Sequence, residues 1–393
     1  MRVLVTGYTY TRENLFEVFN SYPEKDKLAF ILPSNWTAKN GTVKFKPFKK
    51  EGFEIYHSPA FFHHSNFPII GGLFKGWMPF FVFRLLYLKF TKGIDVMFST
   101  GEPNLLSTTY NALWSKLLGI KFVFNYWENI PYENKDKGSK LFIKKAIISM
   151  NVWLSDGAIC GMHKAEDILR TFGGNLKIGT FLHAGFNPEK FKPGLDHKEF
   201  SQKYGLENKK VFLFVGALGY RKGIHLVLDI ISKLKSAYPI KFLIVGSGEY
   251  KKELDKKVQE LSLESDVVFI PWIENDRLPI IYNSADIFLY PSIPYQGWEE
   301  QFGYSIAEAS LCGLPVISTN TGSIYEVLLD GKTGLMVAPD SIEQLRSAIV
   351  ELVDNPEKSI MLGRSGREFV EKNFSNGVIS KKMFRLFSEV NES

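Results

Sequence analysis

Two carboxylates, Glu300 and Glu308, lie eight positions apart with Phe302 and Gly303 between them. The residues at 309–318 predict a helix end, a turn and a buried strand. Glu300 therefore falls in a loop, and Glu308 lies about one turn into a helix. At the start of this helix three backbone N–H groups would be free to bind a phosphate: those of Gly303, Tyr304 and Ser305. Because Glu308 could accept two hydrogen bonds from a ribose diol, the spacing predicts a site for a substituted nucleoside diphosphate. The alternative is an acidic loop before an ordinary amphipathic helix.

A second group of chemically active residues follows the predicted strand 211–216, where Gly216 begins a loop that contains Arg221 and Lys222. Adjacent cations at a strand end can stabilise the negative charge that develops on a departing diphosphate, which is worth about 3–4 kcal/mol per well-placed donor. A solvated Arg-Lys pair at a turn is the alternative interpretation. That alternative does not explain the spacing to Glu300.

Two further strand ends belong to the same group. Gly246 follows the strand 242–245 in a Gly-Ser-Gly turn, which is weak evidence by itself. Trp272 follows another strand, where it could flank a planar base or pack in the core. Residues 321–323 predict one more strand-to-helix turn beside the site.

The elements that must position these residues alternate between short apolar strands and helices in both halves of the chain. This pattern is typical of α/β domains with doubly wound parallel sheets, in which ligands bind at the carboxyl ends of the strands. We therefore predict two such domains facing across a cleft. A linker at 181–194 divides the chain into a first domain at 1–195 and a second domain at 196–372. A C-terminal helix at 373–393 is predicted to pack back on the first domain.

Composition excludes several classes of protein. The chain has 393 residues, of which 45% are hydrophobic, and it contains no apolar run long enough for a transmembrane helix and no signal-peptide layout. Its two cysteines lack metal-ligand spacing and predict buried thiols in a reducing, cytoplasmic setting. The seven histidines also show no metal-binding spacing, so no metal is predicted.

Basic charge is concentrated in the first half. Residues 1–195 contain 25 Lys and Arg against 15 Asp and Glu, whereas the remainder has 23 against 27, consistent with the net charge of +6. Nucleic acid, anionic lipid, a phosphate-bearing acceptor or merely solvated lysines would each explain the excess. Five lysines alternate with aromatic residues at 39–50, and residues 67–90 are rich in aromatic and aliphatic side chains. The stretch 77–90 is therefore either a buried helix or a segment at the inner membrane surface.

The motifs, taken in order, resemble glycosyltransferase family 4, a family of retaining, metal-independent enzymes with the GT-B fold. The resemblance extends from about 181 to 372. It rests on Arg-Lys-Gly at 221–223, Gly-Ser-Gly at 246–248, the Glu300 and Glu308 pair, and Gly-Leu-Pro-Val at 313–316.

This resemblance implies that the domain at 1–195 binds the acceptor and that the domain at 196–372 binds the nucleotide sugar. It also implies a role for each matching residue. Glu300 would contact the donor sugar, Glu308 the ribose hydroxyls, and Arg221 with Lys222 the diphosphate. The backbone from Phe302 to Tyr304 would hold sugar and phosphate, and the segment around Trp272 would be the edge that reads the base.

The acceptor side departs from the family pattern. Gly7 stands where a glycine pair is expected, and the usual His-Asp pair after a strand is replaced by residues 125–129, Asn-Tyr-Trp-Glu-Asn. Glu128, with Trp127 beside it, would take the carboxylate role, and a departing phosphate oxygen could accept the acceptor's proton.

We therefore expect a hexosyltransferase that moves a sugar from a nucleoside diphosphate to a hydroxyl of a glycan or lipid-linked acceptor, without a cofactor and without nucleic acid. The alternatives are another GT-B enzyme, such as a nucleotide-sugar epimerase or a starch-type synthase, or a non-catalytic partner subunit.

Overall fold

The computed structural model describes residues 1–37, 47–63 and 70–393, which form two compact units. Unit 1 comprises Met1–Gly185 together with Asn376–Ser393, and unit 2 comprises Phe186–Ser375. The boundary lies ten residues before the position expected from the sequence. Residues 186–195 belong to unit 2 because their backbone is bonded there: the Phe186 N–H donates to the Phe374 carbonyl (2.9 Å) and Asn283 Nδ2 donates to the Lys192 carbonyl (2.9 Å).

Unit 1 contains a seven-stranded parallel sheet with the order β3-β2-β1-β4-β5-β6-β7. The strands are β1 Val3–Thr6, β2 Leu28–Pro33, β3 Glu54–Ser58, β4 Val96–Ser99, β5 Lys121–Tyr126, β6 Gly157–Cys160 and β7 Lys177–Thr180. The five interior strands are short apolar runs of the kind that the alternating sequence pattern predicts. The two edge strands were not predicted, because EIYHS and KIGT are only partly buried and carry no such run.

The helices of unit 1 cover both faces of this sheet. They are α1 Glu13–Phe16, α2 Ile70–Leu73, α3 Phe81–Lys92, α4 Leu106–Leu117, α5 Gly138–Leu154, α6 His163–Arg170 and the C-terminal α14 Asn376–Asn391. The sequence at 12–21 predicts a single helix, but α1 has a single turn and a 3₁₀ helix follows at Glu17–Ser21. This tighter winding brings Phe16 and Phe19 together in the core, with ring centroids 5.5 Å apart.

Unit 2 contains a six-stranded parallel sheet with the order β10-β9-β8-β11-β12-β13. Its strands are β8 Lys210–Val215, β9 Ile240–Val245, β10 Val267–Ile270, β11 Ile287–Tyr290, β12 Val316–Thr319 and β13 Leu335–Val337. Its helices are α7 Lys198–Tyr204, α8 Ile224–Leu234, α9 Lys251–Glu260, α10 Leu278–Asn283, α11 Tyr304–Leu311, α12 Ile342–Asp354 and α13 Pro356–Phe374. The strand order reverses between β8 and β11, which is where doubly wound sheets bind ligands.

Within the described ranges no helix is long and apolar enough to cross a membrane. Cys160 and Cys312 are free and buried, as expected, and burial raises the pKa of both thiols. Most of the lysine-rich aromatic stretch at 39–50 lies outside the described residues, as does the start of the apolar stretch at 67–90.

Candidate active site

The predicted donor-site residues of unit 2 gather at one edge of its sheet. Because all strands are parallel, the loops after β8, β9, β10, β11 and β12 leave from the same edge. The loop after β8 contains Arg221 and Lys222, and the loop after β11 contains Glu300. These two strands are neighbours at the point where the strand order reverses, so residues 78 positions apart in sequence meet there.

At this point Lys222 and Glu300 form a buried ion pair. Lys222 is 6% exposed and Glu300 is 5% exposed, and the Lys222 ammonium contacts Glu300 Oε1. The same carboxylate oxygen accepts hydrogen bonds from Tyr290 (3.0 Å) and Ser292 (2.8 Å), and Lys222 Nζ donates to the Tyr290 hydroxyl (2.7 Å). Burial lowers the pKa of Lys222, and the Glu300 charge opposes that shift. Lys222, Tyr290 and Ser292 thus converge on Glu300 Oε1 and hold it in a rigid polar centre.

Two glycines permit the close backbone approaches that build this centre. Gly223 has φ +66°, and a Cβ there would lie 1.9 Å from the Pro291 carbonyl oxygen. Gly322 has φ +62°, and a Cβ there would lie 1.8 Å from the Glu300 carbonyl oxygen, which accepts from the Ser323 N–H (2.9 Å). Larger residues at either position would push apart the loops that position Lys222 and Glu300.

Around the ion pair, three buried polar atoms have no hydrogen-bond partner among the described residues: Arg221 NH1, Thr321 Oγ1 and Ser323 Oγ. The Arg221 guanidinium lies over the Trp298 ring, 3.4 Å from its centroid, and its NH1 atom is 4.0 Å from Glu300 Oε1. Because buried polar groups are normally satisfied, the unpartnered guanidinium N–H, together with two unpartnered hydroxyls in the loop that contacts the Glu300 backbone, favours a polar ligand at this place.

Glu308 lies on α11, in a separate half-buried cluster. Its carboxylate accepts from the Tyr282 hydroxyl (2.8 Å) and from Asn275 Nδ2 (3.4 Å). Burial raises the pKa of Glu308 to about 7, and the hydrogen bonds from Tyr282 and Asn275 together with Lys190 oppose that shift. The protein therefore orients both carboxylate oxygens of Glu308, and the pKa of about 7 means that this carboxyl group changes its charge near neutral pH.

The remaining predicted residues of unit 2 occupy different environments. Gly216 and Gly246 follow β8 and β9, and their N–H groups donate to Val245 O (3.0 Å) and Ile270 O (2.9 Å). The Phe302 side chain is buried against Phe186 and Phe374, so only its backbone can serve the site. Gly303 caps α11, and Tyr304 and Ser305 begin that helix, as expected. Trp272 is 64% exposed, so the core-packing interpretation of it is wrong.

A second polar cluster lies in unit 1, at the corresponding reversal between β1 and β4. Gly7 follows β1, and Tyr8 stacks on Trp36 with centroids 4.5 Å apart and planes 4° apart. Lys75 Nζ lies 4.6 Å from the centroid of the Tyr8 ring. Glu102, in the loop after β4, makes no side-chain hydrogen bond or ion pair with a described residue. Burial raises the pKa of Glu102 to about 7, with a further contribution from Glu128.

Glu128 itself is engaged by its own loop. Its carboxylate accepts from the backbone N–H groups of Asn129 (3.1 Å) and Ile130 (3.2 Å) and pairs with Lys135 (2.5 Å). Trp127 packs against the His183 ring, with centroids 5.2 Å apart. His183 is buried, its Nδ1 has no partner in the described chain, and burial lowers its pKa to about 4. The geometry therefore favours Glu102 and His183 over Glu128 as groups available to a ligand.

Sequence reasoning missed the residues that orient the predicted ones. None of these residues carries a spacing signal, because Tyr282 and Tyr290 end apolar segments and Trp298 lies in an irregular polar loop. Glu102 was detectable, since a carboxylate directly after a predicted strand marks a strand end that faces a ligand. No group of His, Cys, Asp and Glu suited to a metal ion occurs in the ranges that the structure describes.

Comparison with known sequences finds a family match within the second unit. Residues 196–369 match the family described as "Glycosyl transferases group 1". A GDP-mannose-dependent alpha-(1-6)-phosphatidylinositol monomannoside mannosyltransferase of Mycolicibacterium smegmatis is 27% identical over 249 residues, which is 57% of this chain and 65% of that protein. The sulfoquinovosyl transferase SQD2 of Arabidopsis thaliana is 26% identical over 66% of this chain and 50% of its own length. The chain thus spans about half to two thirds of the length of these curated relatives.

Solved structures match over nearly the whole chain. HepE of Anabaena in complex with UDP superposes with a TM-score of 0.74 at 17% identity, covering 99% of this chain and 100% of that one. Sucrose-phosphate synthase from Thermosynechococcus elongatus gives a TM-score of 0.74 at 19% identity, with 99% of both chains covered. Residues 196–369 thus match the glycosyl transferases group 1 family, and the chain has the two-domain α/β fold called GT-B.

Proposed function

We propose that this protein is a retaining hexosyltransferase that uses a nucleoside-diphosphate sugar as donor and a hydroxyl of a glycan or lipid-linked glycan as acceptor. No metal takes part in the proposed reaction. Arg221, Lys222 and Glu300 act at the reacting end of the donor, and Glu308 binds the ribose.

One observation carries this proposal: the buried Lys222–Glu300 pair lies beside an Arg221 guanidinium that has an unpartnered N–H. A fixed pair of cations at a sheet reversal, with neighbouring hydroxyls also unpartnered, is suited to a diphosphate that carries a sugar. Support also comes from the relatives, since one is named as GDP-mannose-dependent and the HepE structures contain UDP, UDP with glucose, or UDP-glucose.

In the proposed reaction, the bond between the anomeric carbon and the β-phosphate oxygen breaks, and its electron pair remains on the diphosphate. Arg221 and Lys222 stabilise that charge, and each well-placed donor contributes about 3–4 kcal/mol. The acceptor oxygen bonds to the anomeric carbon on the face that the diphosphate leaves. The acceptor's proton passes to a phosphate oxygen, so no protein base is required. Glu300, held by Tyr290 and Ser292, accepts hydrogen bonds from the sugar hydroxyls.

On the acceptor side we propose the cluster in unit 1. Tyr8 and Trp36 provide a stacked aromatic surface of the kind on which the apolar face of a sugar ring packs, and Glu102 provides a carboxylate free to accept from a hydroxyl. Because its pKa is raised to about 7, Glu102 takes up or releases a proton within the physiological pH range.

Nucleotide release from a panel of UDP-, GDP-, ADP- and dTDP-sugars tests the proposal without a known acceptor. We expect slow release from one donor, unchanged by EDTA and lost in Arg221→Ala. The matched control is Arg346→Ala, which removes an exposed arginine on α12. Donor binding that persists without turnover, even with glycan acceptors present, would instead identify a non-catalytic nucleotide-sugar-binding subunit.

A further inference from the structure

Three helices of unit 1, α3, α4 and α5, lie side by side on one face of the sheet. The crossovers β3-α3-β4, β4-α4-β5 and β5-α5-β6 all step in the same direction across the sheet, and right-handed crossovers then place their helices on the same face. Contacts confirm the neighbours: the Phe81 and Tyr110 rings are 5.5 Å apart, and Lys116 Nζ lies 4.1 Å from the centroid of the Trp153 ring.

The outer surface of this layer is apolar. On each helix the inward residues are buried, as Leu85 and Leu88 are on α3, while large apolar side chains point outward. The most exposed of these, between 69% and 80%, are Phe83, Phe90, Leu117, Phe142 and Trp153. Helix α3 therefore fits neither sequence-based interpretation alone, since one side is buried and the other exposes aromatic rings. Several large apolar side chains exposed on one layer mark an interaction surface.

The charge of the layer restricts what can bind it. Helices α3, α4 and α5 contain no Asp or Glu, but they do contain basic residues: Arg84, Lys89, Lys92, Lys116, Lys140, Lys144 and Lys145. Four of these pair with carboxylates of the neighbouring loops and β3. Arg84, Lys89 and Lys116 have no ion pair in the described chain, although Lys89 Nζ donates to the Ile94 carbonyl (3.0 Å). A symmetric dimer through this face would bring like charges together. Nucleic acid would gain little binding free energy from contact with the aliphatic Leu117.

We propose that the outer face of α3, α4 and α5 is a membrane-binding surface that inserts its aromatic and aliphatic side chains into the headgroup region of an anionic bilayer. Lys116 over Trp153 shows the required arrangement, a cation beside an exposed ring that prefers the bilayer interface. The exposed side chains provide apolar burial, and the unpaired cations provide attraction to the surface. This inference goes beyond the transfer reaction and does not depend on it.

Vesicle flotation of the full chain tests the surface. The probes are vesicles of phosphatidylcholine alone and of phosphatidylcholine with about 30% phosphatidylglycerol, at about 50 mM and about 500 mM salt. We expect binding to the anionic vesicles that weakens at high salt, and little binding to the neutral ones. Equal binding to both vesicle types, or no binding at low salt, would overturn the proposal.

Matched variants locate the contact. Phe142→Gln with Trp153→Gln is expected to weaken binding to anionic vesicles at least about tenfold. The control is Ile360→Gln with Met361→Gln, which replaces two exposed apolar residues of α13 and is expected to change nothing. The replaced side chains are exposed, so the variants are expected to fold normally. Equal binding by both double variants would refute the assignment.

A charge variant and a measurement of mass complete the test. Lys116→Gln is expected to weaken binding about fivefold, whereas Lys198→Gln on α7 is expected to leave it unchanged.

Light scattering gives the molar mass of the parent chain and of the Phe142/Trp153 variant. A dimer that the variant loses, without vesicle binding, would make the face a self-association interface and would also overturn the proposal. Because none of these readouts requires sugar transfer, their failure is distinct from failure of the proposed activity.

Discussion

Replacement of Lys222 by methionine provides the sharpest test of the buried polar centre. The substitution keeps the unbranched aliphatic stem of the side chain but leaves the Glu300 carboxylate, 5% exposed, without its ammonium partner. Removing one member of a buried pair costs about 3–5 kcal/mol, because the remaining charge is uncompensated. The hydrogen bonds from Tyr290 and Ser292 remain, and Arg221 is still 4.0 Å away, so we expect the lower end of that range.

For a unit of this size, about 3 kcal/mol corresponds to a decrease in Tm of roughly 6–12 °C, measured by calorimetry or circular dichroism. The matched control is Lys257→Met, which breaks the half-exposed Lys257–Asp229 pair (2.7 Å) and should cost less than about 1 kcal/mol. The double variant Lys222→Met/Glu300→Gln removes both charges and should regain most of the lost stability.

Measuring turnover separates the contribution of the Lys222–Glu300 pair to stability from its contribution to catalysis. Donor hydrolysis should fall roughly 10²–10³-fold in Lys222→Met and should stay low in the double variant, because restored stability does not restore the phosphate-binding cation. The reasoning would be refuted if Lys222→Met unfolded at the same temperature as Lys257→Met, or if the double variant were no more stable than the single one.

Three further predictions concern the ligand-binding groups. Arg221→Ala should lower kcat for donor hydrolysis roughly 10²–10³-fold, and near-normal kinetics, as expected for Arg346→Ala, would count against its role. Burial raises the pKa of Glu308 to about 7, so its carboxylate gains charge as pH rises from 6 to 8 and donor affinity by calorimetry should rise with it. In Glu308→Gln that pH dependence should disappear, and a profile like that of the parent chain would exclude Glu308 as the diol-binding group. Glu102→Gln should reduce transfer to a glycan acceptor at least about tenfold while leaving donor hydrolysis unchanged; an equal loss in the exposed control Glu51→Gln, or loss of hydrolysis, would contradict an acceptor role.

The sequence was sufficient to predict the architecture of unit 2 because most residues of its strands are apolar and buried and therefore appear as continuous apolar runs, as in VFLFV at 211–215. The edge strands Glu54–Ser58 and Lys177–Thr180 were missed for the converse reason, since an edge strand is partly solvated and needs no apolar run. Likewise, residues 186–195 are rich in turn residues, which is typical of a linker. Their assignment to unit 2 depends on hydrogen bonds with Asn283 and Phe374, which lie about 90 and 190 positions later in the sequence.

For the site, sequence spacing found the charged residues but not the groups that orient them. Lys222 and Glu300 could be assigned to one donor site through the family resemblance, whereas the convergence of Tyr290 and Ser292 on one carboxylate oxygen depends on three-dimensional packing. In unit 1, Glu102 is preferred over Glu128 as a ligand-binding group because the Glu128 carboxylate is already bound by its own loop and by Lys135. Such competition for partners has no signature in sequence.

Titration of the intact protein with UDP-, GDP-, ADP- and dTDP-sugars by calorimetry, in the presence of EDTA, tests the central claim most directly. The account predicts that at least one of these donors binds, that Arg221→Ala weakens binding, and that Arg346→Ala does not. If the folded protein binds none of the four, or if one binds equally well to the parent chain and to Arg221→Ala, the proposed donor site in unit 2 is contradicted.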